Sequence, residues 1–154
     1  MAPDALDGVA LAIAAWVALG TLGLVRPRDP WLASRILFPL GAVIALGVAA
    51  IALAAIGGPV RVLVLPLGLP DLPFHFRLDA LSAFFLVLLG AATFAVSLFS
   101  AGYFRSSEGA TPGLVCFQYH VFVAAMAGVI VADDAYAFMV AWEAMALASY
   151  FLVI

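Results

Sequence analysis

Residues 135–154 read Ala135-Tyr-Ala-Phe-Met-Val-Ala-Trp142-Glu143-Ala-Met-Ala-Leu-Ala-Ser149-Tyr150-Phe-Leu-Val-Ile154. At about 1.5 Å per residue, a helical stretch of this length matches a hydrocarbon core about 30 Å thick. It carries a single formal charge, Glu143, near its middle. A run this long and this apolar reads as a transmembrane helix, and that reading decides the solvent in which the rest must fold.

The remainder of the chain agrees. Of 154 residues, 68% belong to the hydrophobic set and 10% are charged, with a mean hydropathy of +1.25. Soluble domains are roughly half apolar and a quarter charged. A domain of this length cannot enclose so much apolar surface, so the surplus faces lipid. Four further runs are long enough to span, giving expected helices at about 8–25, 36–57, 80–104 and 113–132 besides 135–154. The expected fold class is therefore an all-α integral membrane protein with five transmembrane helices. Small residues recur along the spans, Ala45, Ala49 and Ala52 in the second and Ala137, Ala141, Ala144 and Ala148 in the fifth. Such spacings let helix backbones approach closely in lipid, although biased composition alone also produces them.

Charge and cysteine content exclude several functions. Six basic residues, all arginine, stand against nine acids for a net charge of -3. No basic stripe is available to neutralise phosphates, so no nucleic-acid partner is expected. The lone Cys116 supports neither an internal disulfide nor a Cys-rich iron-sulfur or zinc site. No phosphate-cradling Gly loop follows a strand, and no Ser-His-Asp or Cys-His set can be assembled. The expectation is a non-catalytic subunit with no metal and no cofactor of its own.

The connections set orientation. Met1-Ala-Pro-Asp4-Ala-Leu-Asp7 carries two acids and no base, unlike a secretory signal, so the first run is expected to be retained as a span. The loop Arg26-Pro27-Arg28-Asp29-Pro30-Trp31 to Arg35 is basic, and the positive-inside bias places it in the cytoplasm and the N-terminus outside. Arg105 then also lies inside, with Arg61 and Arg77 outside. The segment 58–79 contains Pro59, Pro66, Pro70 and Pro73 between two extended stretches, Val60 to Leu65 and Phe74 to Leu78, which predicts a small extracytoplasmic β-hairpin. Asp79 with Ser82 three residues on suits the N-cap of the third helix. The sequence stops at Ile154 without a polar flank, and is expected to be a fragment of a longer chain.

All formal charges but Glu143 fall in these connections or the tail on this reading. Nine residues past Asp134, Glu143 lies about 13 Å into the span, near the midplane. A charge there costs about 2.5 to 3.5 kcal/mol on insertion scales. Protonation, pairing with a cation on another helix, or a water-filled cavity can each offset that cost. A carboxylate whose charge depends on a movable partner takes up and releases a proton as the partner shifts, which makes Glu143 the candidate proton-translocation residue. The structural alternative is a neutral, hydrogen-bonded Glu that fixes helix packing. At helical spacing Glu143 shares a face with Tyr136, Met139, Val140, Leu147 and Tyr150, and that face is expected to point inward.

His120, about 10 Å into the fourth span and flanked by Gln118 and Tyr119, is the second candidate, since imidazole titrates in a range suited to proton handover. A local hydrogen bond is the competing reading. His75 reads as a surface residue of the hairpin. Asp133 and Asp134 read as the turn between spans four and five, with proton or cation uptake as the alternative. Trp16, Trp31 and Trp142 read as interface anchors or as bundle packing.

Two stretches carry a family resemblance. Phe74-His-Phe-Arg-Leu78-Asp79-Ala-Leu-Ser82-Ala-Phe-Phe resembles the LDxLS start of the third helix in the antiporter-like membrane subunits of respiratory complex I and the Mrp cation antiporters. The stretch from Ala127 through Asp133-Asp134, Trp142-Glu143 and Ser149-Tyr150 to Leu152 resembles their ADN…F…WE…S-Y-L segment. Its sequence AFMVAWEAMALASYFLV is most similar to the large membrane subunit of hydrogenase 4 and formate hydrogenlyase. The match covers about half the chain, and the first two spans agree only in hydropathy.

The resemblance implies a proton-translocating subunit of the inner (cytoplasmic) membrane in a hydrogenase- or NADH:quinone-oxidoreductase-type complex. Electrons would pass through a peripheral hydrogenase or dehydrogenase arm, with other membrane subunits and the bilayer as further partners and protons or sodium ions as cargo. It also implies that Glu143 pairs with a Lys on a later helix, beyond Ile154. Many relatives carry Asn where this chain has Asp134. A component of a Mrp-type sodium/proton antiporter and a structural membrane scaffold are the alternatives.

Overall fold

The computed structural model describes residues 4–69, 71–105 and 111–153. The first residues of the N-terminal tail, the strand breaker Pro70 and the last residue of the fifth expected span lie outside the described residues.

Five helices are long and apolar enough to cross a membrane: α1 (Ala5–Val25), α2 (Pro30–Ala55), α3 (Ala80–Tyr103), α4 (Pro112–Val131) and α5 (Ala135–Val153). Between α2 and α3 lies an antiparallel hairpin of β1 (Arg61–Leu69) and β2 (Leu72–Leu78). The chain is a multi-pass membrane protein of mainly helical structure.

The second helix departs most from expectation, starting at Pro30 and not near Ile36. Asp29 caps it, its carboxylate accepting the N–H groups of Trp31 at 3.0 Å and Leu32 at 3.3 Å, and Pro30 at the first position needs no N–H partner. The helix continues through a π-turn at Ala33–Leu37. Pro39 cannot donate to a carbonyl four residues back and crowds it, so the turn upstream widens and the Phe38 N–H reaches Ala33. Arg35 therefore belongs to a helix, and Asp7 lies in the first turn of α1. Glu143 remains the charge placed in mid-span.

Close backbone approach holds the bundle together. A methyl group on Gly90 of α3 would lie 2.7 Å from the Ala45 carbonyl oxygen of α2, and one on Gly23 of α1 would lie 2.7 Å from that of Gly113 in α4. Ala45 and Ala52 are fully buried. In lipid, where no hydrophobic force favours one helix over acyl chains, such contacts supply the association energy through packing. Trp16 is buried too, its indole N–H donating to the Gly41 carbonyl at 3.3 Å, so it is a packing residue, whereas Trp31 and Trp142 face outward.

The hairpin is longer than its two expected stretches. Arg61 pairs with Leu78 and Leu65 with Phe74, the register slips between Leu65 and Gly68, and the strands close at Leu69 and Leu72. Pro66 cannot donate to the ladder, and Gly68 absorbs the irregularity with a φ of +110°. Asp79 caps α3 as anticipated: its carboxylate accepts the Ser82 N–H at 2.9 Å while the Ser82 hydroxyl accepts the Asp79 N–H at 2.8 Å.

Candidate functional site

Glu143 lies in α5, whose principal neighbours are α4 along its length and β2 at the hairpin end. The side that meets α4 is the alanine stripe: Ala137 and Ala148 are buried, and a methyl group on Gly128 of α4 would sit 3.3 Å from the Ala141 Cβ. At 100° per residue, Glu143 lies between about 100° and 200° round the helix from these alanines. It is exposed, as are Met139, Val140, Leu147 and Tyr150. The expectation that this face points inward is thus corrected for Glu143, Met139, Leu147 and Tyr150, which turn away from the other four helices, while Tyr136 packs on Phe74 of the hairpin and Val140 borders the groove against α1 and α4. Small residues win the α4 contact because they allow the closer approach. Among the described residues Glu143 makes neither an ion pair nor a side-chain hydrogen bond.

His120 occupies the opposite situation, fully buried where α1, α2 and α4 meet. Its Nδ1 is 2.8 Å from the Cys116 carbonyl oxygen. A carbonyl only accepts, so Nδ1 carries the proton and donates. Nε2 has no hydrogen-bond partner among the described residues and is aimed at Gly41, where a methyl group would collide with it. Phe38 and Tyr119 flank the ring at centroid distances of 5.7 Å and 5.2 Å. The two candidate residues are not brought together: His120 faces the α1–α2 side of α4, and Glu143 projects from the far side of α5.

Beside His120, Tyr119 links α4 to α3 by donating to the Thr93 carbonyl at 3.1 Å, with the Ser97 hydroxyl 2.9 Å from its oxygen. Ser97 and Thr93 are buried, and the sequence marked neither, because a serine or threonine in a span carries no signal of its partner. Among the described residues, no three His, Cys, Asp or Glu side chains converge to hold a metal ion.

The turn before α5 proves more elaborate than a connection. Asp134 caps α5 through Oδ1, which accepts the Ala137 N–H at 2.7 Å. Its Oδ2 accepts the backbone N–H of His75 in β2 at 2.8 Å and lies 3.2 Å from that residue's Nδ1. The Asp133 N–H donates to the His75 carbonyl at 2.8 Å, and its carboxylate meets Arg77 Nε at 3.1 Å. His75 is a surface residue of the hairpin as expected, its side chain partly exposed, and it also joins the hairpin to the start of α5. The Ala137 N–H bond is the chief cause, with the His75 contacts adding to it, of an Asp134 carboxyl held below the ordinary value of 3.8.

Residues 65–111 match the family described as NADH-Ubiquinone oxidoreductase (complex I), chain 5 N-terminus. Over 87 residues the chain is 38% identical to Hydrogenase-4 component B of Escherichia coli (strain K12), covering 53% of this chain and 13% of that protein. Over 111 residues it is 40% identical to an uncharacterized protein of Mycobacterium tuberculosis, in strains CDC 1551 / Oshkosh and H37Rv alike, covering 70% of this chain and 17% of theirs. The aligned region thus spans less than a fifth of each of these relatives. The family match takes in most of the hairpin, Asp79 with its capping partner Ser82, and all of α3. The chain is related to the antiporter-like membrane subunits of complex I and hydrogenase 4.

Proposed function

We propose that this chain forms part of a proton-translocating subunit in a hydrogenase- or NADH:quinone-oxidoreductase-type complex, seated in the inner membrane with its N-terminus outside. Electron transfer takes place in partner subunits, and proton movement passes through Glu143.

One observation supports this reading above the others. The single charge in mid-span lies on a helix face that the chain's own helices leave uncovered. An ionised carboxylate aimed at acyl chains is costly. The face is therefore completed by a partner surface that bears a cation or water, from a later part of the same subunit or from a neighbouring one. Such a pair stores charge reversibly: when the cation approaches, the carboxylate stays ionised, and when it withdraws, desolvation drives the carboxyl to take up a proton. His120 suits a fixed structural role better, since a second proton on its ring would lie buried at Nε2 against Gly41 with no acceptor among the described residues.

Ion movement into membrane vesicles that contain the complete complex tests the reading. With formate, molecular hydrogen or NADH supplied in turn as electron donor, one of them drives proton uptake that stops when electron flow is blocked. Proton movement that needs a sodium gradient and no electron donor would instead identify a Mrp-type antiporter, and a vesicle that moves no ions under either drive would identify a scaffold.

A further inference from the structure

We propose that the turn Asp133-Asp134 and its clasp on β2 are positioning residues for Glu143, setting the rotation of α5 and with it the direction in which the carboxyl points. The proposal rests on the reading of Glu143 given above.

The side of α5 that meets α4 is mostly alanine: Ala141 approaches Gly128, Ala137 and Ala148 are buried, and Ala144 and Val140 border an apolar groove between the helices. Methyl groups make a smooth contact that permits close approach but offers few knobs to resist rotation or sliding of one helix on another. The consequence of a slip is large, because one residue of register is about 1.5 Å along the axis and about 100° around it. That would swing Glu143 off the face it now occupies.

The hairpin end supplies the missing constraint. Four polar contacts converge there from two residues of β2 and two of the turn: His75 N–H to Asp134 Oδ2 at 2.8 Å, His75 Nδ1 to the same oxygen at 3.2 Å, Asp133 N–H to the His75 carbonyl at 2.8 Å, and Arg77 Nε to Asp133 Oδ1 at 3.1 Å. Since Asp134 Oδ1 also caps the first turn of α5, one carboxylate ties the helix start to the strand. Phe76 and Ala132 form an isolated bridge beside it, and Tyr136 meets Phe74 edge-on at a centroid distance of 5.4 Å. Asp79 also pairs with Arg77, at 3.7 Å, so the clasp extends to the cap of α3. From Asp134 to Glu143 a rigid helix carries the constraint about 13 Å into the membrane. The strand that grips α5 is thus linked through Arg77 to the cap of another helix, and a displacement of the hairpin turns Glu143.

Spin labels placed at Phe138 on α5, about 140° round the helix from Glu143, and at Leu46 on α2, both exposed in this chain, measure the rotation directly in the complete complex. The wild type gives one narrow distance. Asp134→Ala shifts it by about 1.5 Å or more or broadens it, and lowers the protons moved per electron while electron transfer continues. Asp134→Asn, which retains a cap acceptor, restores most of both. Unchanged distances in Asp134→Ala overturn the proposal. So does a shifted helix that pumps normally in a complex where Glu143→Gln abolishes pumping. If Glu143→Gln itself pumps normally while Asp134→Ala moves the labels, the reading of Glu143 falls and the clasp's hold on α5 stands. Should Asp134→Ala prevent assembly, Arg77→Gln carries the same test by removing one contact: a smaller shift supports the clasp, and an unchanged distance overturns it.

Discussion

Replacing Gly41 with alanine asks whether His120 is a fixed wedge in the bundle. The added methyl would collide with His120 Nε2, on a ring pinned by its bond to the Cys116 carbonyl and fully buried beside Phe38 and Tyr119. The ring has nowhere to retreat, so Gly41→Ala should destabilise by about 1 to 3 kcal/mol, the usual range for overpacking a well-filled core. It should also strain the Trp16 bond to the Gly41 carbonyl. His120→Ala alone empties the space and costs a few kcal/mol through the cavity it leaves. Together the two changes relieve each other, because the new methyl enters the vacated volume. The expected coupling is at least about 1 kcal/mol, favourable in the double variant. Reversible unfolding of the complete subunit in mixed micelles, followed for the four members of the cycle, measures it. A Gly41→Ala variant as stable as wild type, or one equally destabilised with and without His120, would refute the wedge.

Other expectations follow from single contacts. Asp79→Ala removes the cap of α3 and should cost about 1 kcal/mol, read as a lowered unfolding temperature, with Ser82→Ala costing less. The Ser82 N–H is the chief cause that holds the Asp79 carboxyl below the ordinary 3.8, and Asp134 is depressed likewise. Both carboxyls bind a proton more tightly when unfolded, so their contribution is complete above the unfolded value and is lost as pH falls through the lower folded one. Thermal stability should therefore drop as pH falls below the ordinary carboxyl value of 3.8, and the drop should flatten in Asp79→Asn combined with Asp134→Asn. Gly90→Leu drives a side chain into the Ala45 carbonyl and Ala49. It should destabilise by about 1 to 3 kcal/mol, whereas Gly47→Ala, with open space around it, should be neutral or mildly stabilising in the same assay.

The helices were legible because lipid demands only length and apolarity, both visible in one sequence. The start of α2 was legible in principle as well: Asp29-Pro30 is a cap followed by a first-turn proline, but Arg35 inside a basic run read as loop. The length of the hairpin was masked by Pro66, which stays in the strand at the cost of a register slip that Gly68 accommodates. Glu143 stood out as a charge out of place, yet its direction did not. A helical wheel shows which residues share a face and leaves open which face meets a neighbour. The deciding signal was the alanine stripe of residues 137, 141, 144 and 148, whose close approach to α4 leaves Glu143 on the open side. The clasp between His75 and Asp134 joins residues 59 positions apart, and no local pattern announces such a pair. His120 was found by residue type alone, and only its surroundings show Nδ1 tied to the Cys116 carbonyl and Nε2 pressed against Gly41.

Proton movement through Glu143 is the property on which the proposed function depends. It meets its hardest test in the number of protons translocated per electron by the complete complex carrying Glu143→Gln. That amide has the same shape and cannot ionise. The expected result is an assembled complex that still transfers electrons but moves few or no protons. A well-assembled variant with the wild-type ratio would contradict it.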